Sequence, residues 1–404
     1  MNLIEVRTKN QIKAFHQLPF DIYKNDPSWI PHLEQDVEKV FTPAENKYFR
    51  HGEVIRWILE DDNGKVIGRV AAFYHKKIAK SFKQPTGGMG FFECINNQDA
   101  ANILFDACKK WNEEKGMEAM DGPINFGEKD KFWGLMIRNF ESPPYYGQNY
   151  NPEYYVKFFE DYGFNIYYNQ LIFHRDYHTQ LQESFRVRAE RILENPKYHI
   201  ERFEKKRIEK FADDFHTIYN RAWTTHEGFP GMTKAQVHAL MKLVKPIVDE
   251  NLIYFAYYEN KPVGFYMSLP EINQAYKYVN GNFNWWGKIK FMWYLKVMKV
   301  VDTSFGVAFG IDPDHQGKGL EGAIFKTYED YIRPYPERYK NLIITWIGDF
   351  NPKMIRIIEF LGAKEYRRLA TYRKLFDPNA VFERSPIIGA RKPKEKVKNI
   401  EKNA

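Results

Sequence analysis

The sequence predicts an α/β protein (mixed α+β) with mostly antiparallel sheets flanked by helices, arranged as two tandem copies of one domain. Three observations carry that prediction. Strand-like and helix-like patterns alternate through the second half of the chain, as a sheet covered on both faces requires. Local landmarks recur at nearly one spacing. An apolar strand-like run, residues 305–311, leads through a glycine-rich loop into a helix.

The repeat rests on three pairs of landmarks. Asn63-Gly64-Lys65-Val66-Ile67-Gly68 and Asn260-Lys261-Pro262-Val263-Gly264 each read as a hairpin turn entering a strand. Asn151-Pro152 and Asn351-Pro352 each open a helix, and those helices end at Gly163 and Gly362. The members lie 196, 200 and 199 residues apart, from 68 to 264, 151 to 351 and 163 to 362. Self-similarity at one long period is the mark of a duplicated unit. In the second half the order reads strand 200–203, helix 204–223, helix 233–248 capped by Thr233, and hairpin 252–258 with 262–269. Strand 305–311, helix 319–332, strand 341–347, helix 352–361 and strand 369–376 follow. The expected units are residues 1–185, residues 186–380 and a basic, flexible tail at 381–404.

Composition narrows the class. A chain of 404 residues with 44% hydrophobic and 28% charged residues is large enough for two soluble cores. Aromatic residues make up 17%, a surplus that suits large cores, clefts and interfaces. No uncharged apolar run reaches the length of a membrane span. Met1–Arg7 reads as a strand with no apolar signal region behind it, so a cytoplasmic location is expected. Two cysteines, Cys94 and Cys108, are too few for a disulfide framework or a zinc site, and no metal is expected. Of the net charge of +8, seven Lys/Arg against two Glu from residue 384 onward supply +5. The body is therefore nearly balanced, and no specific nucleic-acid partner is expected.

The chemistry concentrates in Phe305-Gly306-Val307-Ala308-Phe309-Gly310-Ile311-Asp312-Pro313-Asp314-His315-Gln316-Gly317-Lys318-Gly319-Leu320. A strand, a glycine-bearing loop and a helix start place backbone N–H groups and the helix's positive end around one spot, an anion site. Gly317-Lys318-Gly319-Leu320-Glu321-Gly322 satisfies the dinucleotide pattern literally. The Asp-Pro-Asp-His-Gln turn before it does not suit the tight turn that pattern needs.

Residues 311–320 resemble the acetyl-CoA pyrophosphate loop of the GNAT acyltransferases, whose pattern is Gln/Arg-x-x-Gly-x-Gly/Ala. Gln316 and Gly319 stand at its first and fourth positions; Glu321 occupies the sixth, with Gly322 one place later. The resemblance implies that Ile311, Gln316, Gly317, Lys318, Gly319, Leu320 and Gly322 bind acetyl-CoA or another acyl-CoA. Residues 345–363 are similar to the family's strand–Asn–helix–Gly element, which implies that Asn351 bonds the pantetheine arm or its neighbourhood. The family often places an acid tyrosine four residues before that glycine. Ile358 stands there, leaving Tyr366, Tyr372 or water to protonate the thiolate.

In the first half the corresponding loop, Cys94-Ile95-Asn96-Asn97-Gln98-Asp99, has no glycine, so that half is expected to bind no CoA. The stretch Met120–Gly127 with Trp133-Gly134-Leu135 reads either as a packing loop or as an acceptor-binding loop.

The resemblance implies direct transfer of an acyl group to an amine of a small molecule or peptide, with a carboxylate or a water it holds as base. Glu271, Asp302 and Asp349 lie near strand ends, and Glu271 and Asp349 are the chosen candidates, with Tyr372 as candidate acid. His226 and Glu227, in a Gly/Pro-rich loop, and Trp285 and Trp286, in an insertion before residues 288–300, are the candidate acceptor contacts. That basic aromatic insertion reads as a lid or packing helix, with peripheral membrane contact as the lesser alternative. Two rival readings stand beside the enzyme: a non-catalytic acyl-CoA-binding protein and an aminoacyl-tRNA-dependent tandem transferase.

Overall fold

The computed structural model describes residues 1–223, 231–332 and 338–389. The first half runs β1 (Asn2–Glu5), α1 (Lys9–Ile22), α2 (Glu34–Phe41), β2 (Gly52–Glu60), β3 (Val66–His75), α3 (Lys76–Ala79) and β4 (Thr86–Cys94). It continues through α4 (Gln98–Glu114), β5 (Ala119–Gly122), β6 (Leu135–Arg138), α5 (Tyr154–Asp161) and β7 (Asn165–Asp176). Helix α6 (Glu183–Leu193) links the halves. The second half runs β8 (Tyr198–Arg202), α7 (Ile208–Trp223), α8 (Lys234–Val244), β9 (Ile253–Tyr258), β10 (Lys261–Pro270), α9 (Asn273–Tyr276) and α10 (Trp285–Met292). Then come β11 (Thr303–Ile311), α11 (Leu320–Ile332), β12 (Asn341–Gly348), α12 (Pro352–Phe360) and β13 (Lys364–Leu375). Local chemistry sets several of these boundaries. Thr8 with Gln11, and Thr233 with Gln236, form reciprocal capping boxes that satisfy the first amides of α1 and α8.

The thirteen strands among the described residues belong to one sheet, ordered β1-β2-β3-β4-β5-β13-β7-β12-β11-β10-β9-β8, with β6 on the side of β13. The order is palindromic in the repeat. In each half a parallel pair, β4 with β5 and β11 with β12, follows a hairpin. The strand beside each parallel pair comes from the opposite half. β13 pairs β5, β7 pairs β12, and β7 and β13 pair with each other at the centre.

Packing and charge follow this exchange. Ala370 and Tyr372 of β13 complete the first-half core around Phe105 and Phe159, while Leu171 and Phe173 of β7 complete the second-half core around Phe325 and Tyr328. Arg373 on β13 holds Asp121 on β5 through two hydrogen bonds of 2.6 and 2.8 Å. Arg175 on β7 is ion-paired with Glu329 on α11. Both pairs are buried, where a charge is tolerated only if it is matched. The two arginines are 198 residues apart, at the spacing of the repeat.

The described part of the expected tail is tied to the body. Ser385 and Ile388 donate backbone hydrogen bonds to Tyr167 and Phe350, and Arg384 pairs with Asp349.

Candidate functional site

The glycine loop is held from several sides. Arg221 of α7 bridges Asp312 at 2.6 Å and Asp314 at 2.9 Å. The Tyr198 hydroxyl of β8 is hydrogen-bonded to His315 Nδ1 at 2.7 Å. Gln316 folds back, its amide donating to the Ile311 carbonyl at 3.0 Å. The amide of Gly317 donates to the Glu321 carboxylate at 3.1 Å, so a negative group already sits on one loop N–H. Gly317 has φ +72°, a left-handed conformation, and a Cβ there would meet nothing within 4 Å.

Gly319, left-handed like Gly317 at φ +100°, and Gly322 are also close to a neighbouring helix. A Cβ on Gly319 would lie 3.0 Å from the Arg188 carbonyl oxygen, and one on Gly322 would lie 3.1 Å from Ala189 Cβ and the Phe185 carbonyl oxygen. Both therefore let α6 pack closely on the first turns of α11. Ile311 and Leu320 are buried in the second-half core, and Gln316 and Lys318 are exposed on the loop.

Upstream of this loop the sheet parts. β11 and β12 pair only as far as Gly306 with Ile344, and β12 then continues against β7. On its other edge β11 bulges. Met267 faces Ala308 and Ser268 faces Gly306, which leaves Val307 without a partner and 42% exposed. Bulges re-aim backbone groups and occur beside active sites. Past that last pair the two strands run unpaired, a slot flanked by residues 307–311 of β11 and 345–348 of β12, with Phe309 packed into the second-half core and Trp346 against the cluster around Tyr145.

Glu271 lies one strand over. Leu269 pairs with Phe305, and Glu271 stands two residues further, about 7 Å along the strand. Its carboxylate is 2% exposed and accepts from the amides of Tyr146 at 2.9 Å and Asn273 at 3.2 Å. Burial outweighs those two hydrogen bonds and pushes it up to about 7, the range a general base needs. Tyr145, from the first half's 139–151 loop, lies tilted against Phe305 and Tyr366 with centroids 6.1 and 6.2 Å away. Burial and the neighbouring Tyr366 and Glu271 raise its phenol. Sequence reasoning missed Tyr145; the signal was the Pro143-Pro144-Tyr145-Tyr146-Gly147 run, too stiff and aromatic for a plain connector.

A cavity of about 410 Å³ opens between α1, residues 29–34 and the 280–282 turn, lined by Lys13, Gln17, Phe20, Trp29, Arg69 and Asn282 among others. Pro31 and His32 also line a smaller hollow that reaches Tyr146 and Asn273, whose amides hold Glu271. Burial lowers His32 to about 4, so it is neutral at ordinary pH.

The other sequence candidates fall elsewhere. Asp349 accepts from Asn169 at 2.8 Å and pairs with Arg384, which gives it a structural partner set. Asp302 is held by Gln274 at 2.7 Å. Asn351 caps α12, accepting from the Met354 amide at 3.3 Å. Tyr372 is buried in the first-half core with its hydroxyl donating to Glu160 at 3.2 Å, so the strand exchange carries it away from the slot. Tyr366 packs, with Phe305 and Trp346, against the small cluster around Tyr145 and Ile343. Ile358 is 2% exposed within the second-half core, so its position is filled by packing. Trp285 and Trp286 are 72% and 70% exposed on α10 and do not line the cavity. His226 and Glu227 lie outside the described residues. The 120–135 stretch does pack across the halves: Trp133 donates to Thr371 at 3.0 Å, and Trp346 donates to the Lys129 carbonyl at 3.2 Å.

This architecture is the tandem GCN5-related N-acetyltransferase (GNAT) fold, an acyltransferase-type fold. It is shared with the GCN5-related glucosamine N-acetyltransferase region of a fungal multi-domain GH3 β-N-acetylglucosaminidase, at TM-score 0.53 and 11% identity. That alignment covers 92% of this chain and 38% of the fungal one. It is shared as well with a tandem GNAT protein from the clavulanic acid biosynthesis pathway, at TM-score 0.51 and 9% identity over 92% of this chain and 98% of that one. In sequence, the chain is 26% identical over 382 residues to the bacterial ceramide synthase of Caulobacter vibrioides, covering 93% of this chain and 97% of that protein. It is 25% identical over 370 residues to protein YghO of Escherichia coli, covering 91% and 93%. No family model matches the chain.

Proposed function

We propose that the chain is an acyl-CoA-dependent N-acyltransferase whose acceptor is a long-chain amine. The observation that carries this reading is the parting of β11 from β12 beyond Gly306 and Ile344, with the glycine loop past the end of β11 and Glu271 beside its start. The likeness to a ceramide synthase along nearly the whole chain supports the acceptor class, since a ceramide is a long-chain amino alcohol bearing an amide-linked acyl chain.

The loop suits a pyrophosphate once the Glu321 carboxylate leaves the Gly317 amide. The space beside Gly317 is open, its φ is one that glycine adopts freely, and the N-terminus of α11 supplies the matching partial charge. Gly317, Lys318 and the first turn of α11 would hold the donor, and its thioester supplies the activated acyl group. Glu271, poised near 7, takes the proton from the acceptor ammonium directly or through one water. The amine nitrogen then forms the C–N bond as the C–S bond breaks, and its remaining extra proton passes, through Tyr366 or solvent, to the departing thiolate. The unpaired backbone at Val307 is placed to polarise the carbonyl.

The test combines titration and turnover. Calorimetry with CoA is expected to give one site per chain, and palmitoyl-CoA with sphinganine is expected to release thiol and yield an amide detectable by mass spectrometry. CoA binding without turnover on sphinganine or on short amines would overturn the enzyme reading. No CoA binding would overturn the loop assignment.

A further inference from the structure

We infer that α10 and the turn after it form a docking surface for anionic phospholipid bilayers. The argument starts from the sequence. From residue 272 to residue 301 there are five lysines (277, 288, 290, 296 and 299) and no Asp or Glu. The excess of positive charge is thus concentrated in thirty residues of a body that is otherwise nearly balanced.

The structure turns the apolar side chains of this segment outward. Helix α10 is followed by a π-helical turn, Trp293–Val297. Gly287, Phe291 and Leu295, spaced every four residues, face the core. The opposite stripe is solvent-exposed: Trp285 at 72%, Trp286 at 70%, Trp293 at 54%, Val297 at 56% and Met298 at 55%. A helix buries its apolar stripe when the protein itself supplies the partner. Here the inner face is satisfied and a second apolar face remains, three of its members being tryptophans, the residue most at home at a membrane–water boundary.

Lys288, Lys290, Lys296 and Lys299 are exposed among these rings. Their long stems let the ammonium groups reach lipid phosphates while the rings enter the headgroup layer. Charge decides between occupants. A second copy of this chain would bring five like charges against five, whereas an anionic bilayer neutralises them. The turn that precedes the helix, 280–282, also lines the 410 Å³ cavity, so docking sets the cavity beside the lipid surface. Binding itself does not depend on the reaction proposed above.

Flotation of the full chain with phosphatidylglycerol/phosphatidylcholine vesicles tests this, with phosphatidylcholine vesicles as the neutral comparison. The chain is expected to float with the anionic vesicles, to bind less as salt rises, and to show tryptophan quenching by brominated lipid. The triple variant Trp285→Ser, Trp286→Ser, Trp293→Ser and the quadruple variant with Lys288, Lys290, Lys296 and Lys299 changed to Glu are each expected to bind at least about tenfold more weakly. Both should keep the parent's melting temperature and CoA titration, because every changed side chain is exposed. Variants that float like the parent would overturn the proposal, as would equal binding to neutral vesicles. A concentration-dependent dimer that the tryptophan variant abolishes, without flotation of the parent, would assign the face to a second copy instead. An inactive protein that still floats would leave this inference standing and count against the reaction alone.

Discussion

In the first half, the chain leaving β5 stays alongside β4. The Ile124 amide donates to the Met89 carbonyl at 2.8 Å, and the Ile124 carbonyl oxygen lies 1.8 Å from where a Cβ on Gly90 would stand. The protein's own backbone fills that gap. In the second half, β12 turns instead to β7, and Val307 is left exposed at the parting of the strands. The helix starts differ in the same direction. Asn97 spends its side chain capping α4, accepting from Ala100 at 3.0 Å, where α11 is preceded by Gly317 and Gly319. One duplicated frame thus holds two strand pairs, one sealed and one open. Cores and hydrogen-bond ladders preserve the frame, while a few loop residues decide whether a ligand slot exists.

The largest expected effect concerns the exchange that joins the halves. Residues 1–185 expressed alone would lack β13, and residues 186–404 would lack β7, each leaving a core open and a buried arginine or carboxylate unmatched. Neither fragment is expected to fold, whereas co-expression should give a one-to-one complex. Two soluble monomers, each with its own cooperative melt, would break the comparison at its base.

Next comes Glu271, the carboxylate proposed above as the base. Glu271→Gln is expected to lower kcat by about 10²–10⁴-fold, with CoA affinity unchanged. The parent rate should rise with pH and level off above about 7. The effect on stability has the opposite sign. The folded-state value is raised above the ordinary 4.5, so ionisation is less favourable in the folded protein. That penalty is absent below the unfolded value, grows as pH rises toward about 7 and is constant beyond it. The Gln variant should therefore be as stable as the parent or more so above pH 7, by up to about 3 kcal/mol. Full activity in the variant would remove Glu271 from the mechanism.

The two buried ion pairs come third. Asp121→Asn strands Arg373, and Glu329→Gln strands Arg175; each is expected to cost about 3–5 kcal/mol in denaturant unfolding. Equal losses would show that the exchange is energetically symmetric. A loss below about 1 kcal/mol in either would break that symmetry.

The smallest pair sharpens the contrast between helix starts. Gly317→Ala forces a Cβ into a left-handed conformation and is expected to weaken CoA binding about tenfold at a cost of roughly 1 kcal/mol. Asn97→Ala removes a cap for about 1 kcal/mol of stability and should leave CoA binding untouched.

Much of this was legible in the sequence. The landmarks Gly68 and Gly264 fall at matching points of β3 and β10, Thr233 caps α8 as expected, and 303–311 and 320–332 are the strand and helix that frame the loop. These features are local: caps, turns and periodicity act over a few residues, so the sequence by itself determined them, together with the duplication and the glycine loop. Only the tertiary structure decided which sheet the last strand of each copy joins. β7 and β13 both follow a helix and a left-handed glycine, and nothing within such a segment distinguishes its own half's edge from the other's. That choice carried Tyr372 into the first-half core and set Tyr366 beside Phe305 and Trp346. Burial was equally out of reach. Trp285 and Trp286 look like pocket residues in one dimension and face solvent in three, and a Cβ on Gly319 or Gly322 would also crowd α6, which nothing near them in the sequence announces. Contacts between segments far apart in the chain depend on the order of strands in the sheet, which local residue patterns do not specify.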